Sequence, residues 1–137
     1  MNTFWFKVYG LTVVPFLVLD LLWLGLVARS FYFERLGRVV PLAINRPAAL
    51  VFYLFFVAGI VFFAVAPALA QGGLRQALFR GALFGLFTYA TYDLTNLSTI
   101  KGWPLSVTVV DILWGTVLCG NTACLGYLFG RWLQRGF

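Results

Sequence analysis

Histidine is absent from all 137 residues. Its absence removes His-ligated haem, His-box di-iron oxygenases, zinc sites built on imidazole and Ser-His-Asp hydrolysis. Cysteine is scarce. Cys119 and Cys124 stand five apart on one apolar run, point to different helix faces and match neither a CxxC pair nor an easy disulfide. They read as small packing residues. No P-loop or dinucleotide fingerprint is present, so neither a metal nor a cofactor is expected. Charge is also sparse, at 10% of residues against about 25% in a soluble domain. Acidic residues number only 4 against 10 basic ones, a net charge of +6. Without a basic soluble surface this excess does not suggest nucleic acid as a partner. It fits attraction to anionic lipid, which makes membrane lipids the expected partner.

What fills the chain instead is apolar sequence, 62% of it. Runs of about 20 apolar residues match a ~30 Å hydrocarbon core, and in lipid the backbone satisfies itself as helix. Four spans are expected, over about residues 8–28, 48–70, 77–97 and 105–129. The fold class is therefore all-α: a polytopic membrane protein, residues 1–137 forming one four-helix bundle. The first run is longer than the apolar core of an export signal and no soluble domain follows it, so it is read as a span.

The connectors carry most of the charge. Between the first two spans lies Arg29-Ser-Phe-Tyr-Phe-Glu34-Arg35-Leu-Gly-Arg38, an aromatic and basic segment expected at headgroup level and partly helical. Gln71-Gly72-Gly73-Leu74-Arg75 reads as a short turn. In Lys101-Gly102-Trp103-Pro104 the tryptophan is expected to anchor at the interface. Lys7, Arg75, Arg80, Arg131 and Arg135 fall on one face, and Arg29, Arg35, Arg38, Arg46 and Lys101 on the other. Five against five leaves orientation open under the positive-inside rule.

Every aspartate, Asp20, Asp93 and Asp111, lies inside a span, where a carboxylate costs roughly 2.5–3.5 kcal/mol on insertion scales. Odd spans run towards the face of the first connector and even spans return from it. At 1.5 Å per residue the three aspartates then sit about 6–10 Å below that face, in one leaflet. Tyr89, Tyr92, Asp93 and Asn96 recur at i, i+3, i+4 and i+7, so the third span has a polar stripe expected to face the bundle interior. Asp111 and Trp114 stripe the fourth span, and Trp23 stands by Asp20. These eight residues are the candidate ligand-binding set, with Asp93 and Asp111 as catalytic candidates. A lone intramembrane aspartate bonded to Tyr, Thr or Asn is structural glue. Two adjacent ones instead share a proton, exchange it, or hold a cation, unless basic groups from the connector neutralise them.

Two repeats complete the reading. Asp20-Leu-Leu-Trp23 and Asp111-Ile-Leu-Trp114 share D-x-L-W, a pattern that arises by helix duplication or by chance in an apolar background. Gly81/Gly85 and Gly126/Gly130 each make GxxxG, which serves either packing within the chain or a homodimer.

The run from Tyr89 to Pro104, with Val110-Asp111-Ile-Leu-Trp114-Gly115, Phe52-Tyr53-Leu54, Pro67-Ala-Leu69 and Asp20-Leu-Leu-Trp23, resembles the bacterial membrane family catalogued as domain of unknown function 2177. That resemblance spans nearly the whole chain. It implies a small multi-pass protein of the bacterial inner membrane and no mechanism. Asp93 and Asp111 are also similar in placement to the catalytic aspartates of lipoprotein signal peptidases, late in the third span and early in the fourth, with Val109-Val110-Asp111 like the second motif. Here Asp93 precedes Asn96 rather than following an asparagine, and no arginine follows it. Three readings stay open. One is a module that binds or transports a lipid-like, cationic or proton-coupled ligand in an acidic, aromatic-lined pocket. The second is an aspartyl hydrolase using Asp93 and Asp111, and the third an accessory subunit of another membrane protein. Whether the protein is an enzyme is undecided at this point.

Overall fold

The computed structural model describes residues 2–136, and they are overwhelmingly helical. Helix α1 spans Asn2–Leu22 and widens into a π-turn at Trp23–Val27. The short α2, Arg29–Leu36, follows. Asn45 caps α3 (Arg46–Ile60) by accepting the Ala48 amide at 3.1 Å, and Pro47 suits a first turn whose amides lack partners. A second π-turn, Val61–Val65, leads into α4, Ala66–Gln71. The wide turn lies just upstream of Pro67, whose ring would otherwise meet the carbonyl one turn back and whose nitrogen has no hydrogen to give. Gly72 and Gly73 break the chain before α5, Leu74–Thr99. Gly102, at φ +81°, turns it again, and Pro104 opens α6, Leu105–Gln134.

Three continuous helical runs are long and apolar enough to cross a membrane: Asn2–Val27, Arg46–Gln71 and Leu105–Gln134. Helix α5 matches them at 26 residues but does not qualify by composition. It carries Arg75 and Arg80 in its first turns and is polar from Tyr92 to Thr99. Four spans were expected and three meet the test. The outer surface is apolar, with Phe55, Leu26 and Phe6 each more than 70% exposed, as suits a chain in lipid.

Helix α6 lies between α1 and α5, and the Val61–Val65 turn touches all three. The core is drawn from α1 (Val8, Phe16), the α3 run (Val57, Ile60, Ala64, Val65) and α6 (Leu118, Cys119, Ala123). Small residues bring α5 and α6 together. A Cβ on Gly81 would strike Ala123 and the Cys119 carbonyl, and one on Gly85 would strike the Gly115 carbonyl. Gly126 is packed against Thr12 and Val65, and Gly130 against Leu69. Both GxxxG pairs are thus occupied within the chain.

Candidate functional site

The α5–α6 seam explains how the site is built. Along α5 its residues step by four: Gly81, Gly85, Tyr89, Asp93. Along α6 they step back by four: Ala123, Cys119, Gly115, Asp111. Steps of four keep to one helix stripe, so two antiparallel stripes of small residues end in a pair of facing carboxyls. Tyr89 is the one large residue in this seam, and its ring lies where a side chain on Gly115 would have to go.

Asp93 is fully buried, and neither of its oxygens has a hydrogen-bond partner from an ordinary donor. The group within bonding reach is the Asp111 carboxyl. Two carboxyl groups can bond each other only with one proton between them. No guanidinium or ammonium from the connectors reaches Asp93 to neutralise it.

The other two aspartates are bonded. Asp111, half-buried, accepts the Tyr32 hydroxyl at 2.8 Å. Tyr32 in turn accepts the Trp23 indole N–H at 3.2 Å. Burial first, and then the nearby Asp111 charge, holds the Tyr32 phenol well above its ordinary value, so it stays a donor. Asp20 accepts the Tyr53 hydroxyl at 2.8 Å and the Trp114 N–H at 3.1 Å. The two D-x-L-W segments therefore serve each other crosswise: the tryptophan of α6 bonds the aspartate of α1, and that of α1 reaches the aspartate of α6 through Tyr32. Between them the two indoles stack, centroids 4.4 Å apart and planes within 6°.

The structure adds detail to the candidates. Trp23 and Trp114 stack on each other, so no ligand fits between them. Tyr92, about 100° round the helix from Asp93, is 61% exposed and edge-on to Trp103. Asn96 is half-buried beside Tyr92. Trp103 is not an interfacial anchor. It is 93% buried over the site with Ala28, Tyr32 and Val107, and its N–H has no partner. Two apolar grooves exist, of about 660 Å³ (Trp5, Phe6, Tyr9, Phe62) and about 480 Å³ (Phe55, Phe63, Phe84), and no aspartate lines either. Of the carboxyl pair Asp93 is buried, and Asp111 keeps partial exposure.

Tyr32 and Tyr53 were not among the candidates. Nothing local marks Tyr32, one aromatic among three in a connector. Tyr53 sits in an apolar run whose inward face shows only when α1 is laid against it. The stripe from Gly81 to Asp93 was legible, since it continues the GxxxG period.

The family described as predicted membrane protein (DUF2177) matches residues 5–128. The chain belongs to that family. DUF2177 membership accords with the lipid-facing apolar surface and makes this a membrane protein. No curated protein and no solved structure matches the chain. Among the described residues no His, Cys, Asp and Glu cluster suits a metal ion. What the arrangement offers is two carboxyls placed to share one proton, under a tyrosine.

Proposed function

We propose that this is a four-span protein of the bacterial inner membrane, with α5 as its third span, that works through the exchangeable proton of the Asp93–Asp111 pair. In this reading it is a binding or transport module for a proton-coupled, cationic or lipid-like ligand. The observation that carries it is the lack of any donor at Asp93. A carboxyl kept as glue finds donors, and Asp20 with two of them is such a group. Asp93, buried and without one, adds nothing to stability that an apolar residue would not. Asp20, Trp23 and Trp114 form the frame that holds α1 against α6, and Asp111 links the frame to the pair.

Infrared difference spectroscopy of the protein in nanodiscs tests this. A carboxylic acid C=O band should be present at neutral pH, shift in deuterium oxide, and vanish in Asp93→Asn. With every carboxyl ionised and no such band, the reading fails. Proton-coupled flux in liposomes, lost in Asp93→Asn and Asp111→Asn, would identify transport.

A second reading has its own support. Two facing carboxyls sharing one proton are also the arrangement of an aspartyl hydrolase, one activating water while the other polarises a carbonyl. It predicts a membrane substrate that accumulates uncleaved when either aspartate is changed to asparagine. An unchanged membrane proteome would dispose of it.

A further inference from the structure

The Asp93–Asp111 pair is closed on the connector side by α2, and α2 is held in an unusual way. Of its eight residues, Arg29–Leu36, only Tyr32 is buried. Arg29, Ser30, Phe33, Glu34 and Arg35 are exposed, with Arg35 over the Phe31 ring at 4.1 Å and Arg29 at 5.8 Å from the Phe33 ring. Both ends of α2 are joints. Upstream, the π-turn closes through the Ala28 amide on the Trp23 carbonyl at 2.7 Å, and Ala28 leaves helical geometry at φ −112°, ψ 9°. Downstream, residues 37–45 form no helix, and 41–45 are exposed. A short segment between two joints, with one buried side chain and only Phe31 and Leu36 packed beside it, belongs to the low-stability end of a fold.

That side chain closes the site. The Tyr32 hydroxyl occupies one oxygen of Asp111, while Asp111 alone of the pair retains exposure. The hydroxyl cannot pass a proton outward, because its own hydrogen goes to Asp111 and its second partner, the Trp23 N–H, is a donor that does not accept. With Tyr32 in place, therefore, that oxygen of Asp111 is closed to a proton or ligand arriving from the connector side.

We infer that α2 is a latch, fastened by the Tyr32–Asp111 bond, and that its release opens the Asp93–Asp111 pair to water on the face bearing Arg29, Arg35 and Arg38. Trp23 and Trp103 hold the ring when the latch is shut. Asp20 lies outside the latch, since its donors come from α3 and α6. The inference rests on the reading of the pair as a proton site.

A water-soluble carbodiimide with glycinamide, applied to protein in nanodiscs, tests it. The reagent converts protonated carboxyls to amides that mass spectrometry maps residue by residue. Glu34, exposed on α2, reports delivery of the reagent. In Tyr32→Phe the ring remains and the latch bond is gone, so Asp93 or Asp111 should label about 10- to 100-fold faster than in the native protein, the size of one hydrogen bond to a charged group. Tyr53→Phe should leave that rate unchanged. Retention of the exciton signal of the stacked indoles checks the fold of each variant. Equal labelling of the pair in native protein and Tyr32→Phe overturns the latch while the proton site stands. A pair unlabelled in every form also overturns it, and the infrared band on the same samples then decides whether the proton site falls too. One measurement needs no variant: in the native protein the amides of residues 33–36 should exchange with deuterium together, and faster than those of residues 16–20. Equal protection overturns the latch.

Discussion

Changing Asp20 and Asp93 to asparagine should move stability in opposite directions. Asp20 accepts two hydrogen bonds, from Tyr53 and Trp114. A bond to a charged acceptor contributes about 1.5–3 kcal/mol and a neutral one about 0.5–1.5. Asn keeps the shape but loses the charge, so the loss is about 1 kcal/mol per bond. Bonds between membrane helices average nearer 0.6 kcal/mol, which sets the expected cost of Asp20→Asn at about 1–2 kcal/mol. Asp93 starts from the other side, with no donor to lose. Two ionised carboxylates at about 4 Å repel by about 4 kcal/mol at an effective dielectric of 20, so on the proposed reading the native pair is tied to a shared proton. In Asp93→Asn the new amide donates to Asp111 and that tie disappears. Stability should stay level or rise by about 1 kcal/mol. The gap between the variants is then about 2 kcal/mol, roughly thirtyfold in the unfolding constant. Unfolding midpoints in mixed micelles, titrated with denaturing detergent, resolve such a gap. If Asp93→Asn loses as much as Asp20→Asn, Asp93 is structural and the assignment of a working proton is refuted.

Other outcomes follow from the packing and the phenol. Gly85→Ala drives a methyl into the Gly115 carbonyl and should cost about 1–3 kcal/mol, whereas Gly10→Ala meets nothing and should be neutral or slightly stabilising; thermal melts compare the two. Because the glycine stripes are filled within the chain, Gly81→Ala should lower stability without shifting a dimer equilibrium, which light scattering in micelles would reveal. Trp114→Phe deletes the donor to Asp20 and the paired indole, so about 1–3 kcal/mol and the exciton signal should go together. Tyr32 is raised in the folded protein, so its contribution is complete below the ordinary phenol value near 10 and falls as pH climbs above it. The slope should reach about 1.4 kcal/mol per pH unit for this group and be absent from Tyr32→Phe, read from unfolding midpoints across the alkaline range.

The helices were legible because apolar length, Asn45-Arg46-Pro47, Gly72-Gly73 and Gly102-Trp103-Pro104 are local signals that mark spans and breaks. That the three aspartates share one level of the bundle was legible too, since residues counted along a helix are a distance. Lateral neighbours were not. That Trp114 serves Asp20 rather than its own Asp111, or that Tyr32 turns inward from a connector, depends on which helices adjoin. Period alone does not rank burial within a stripe, so it gave no sign that Asp93 is buried while Tyr92 beside it is exposed. The π-turn at Trp23–Val27 has no compositional mark, and it shifts the phase of whatever follows. Trp103 was misread for the opposite reason: tryptophan beside lysine and proline is a surface pattern, and only the fit against Tyr32 and Val107 covers it.

The seam between α5 and α6 also bears on how the protein is made. Helix α5 carries two arginines near its start and a buried carboxyl near its end, and it is too polar to enter hydrocarbon unaided. Its partner is the next segment to be synthesised, reached through the tight bend at Ile100–Pro104, and the stepped glycines make the two surfaces fit before any other helix is involved. The pair would leave the translocation machinery as one hairpin, its acidic residues already turned towards each other and away from lipid. Widening the seam at Gly81 or Gly85 would then act earlier than on the finished fold, by parting α5 from the helix that shields its polar end.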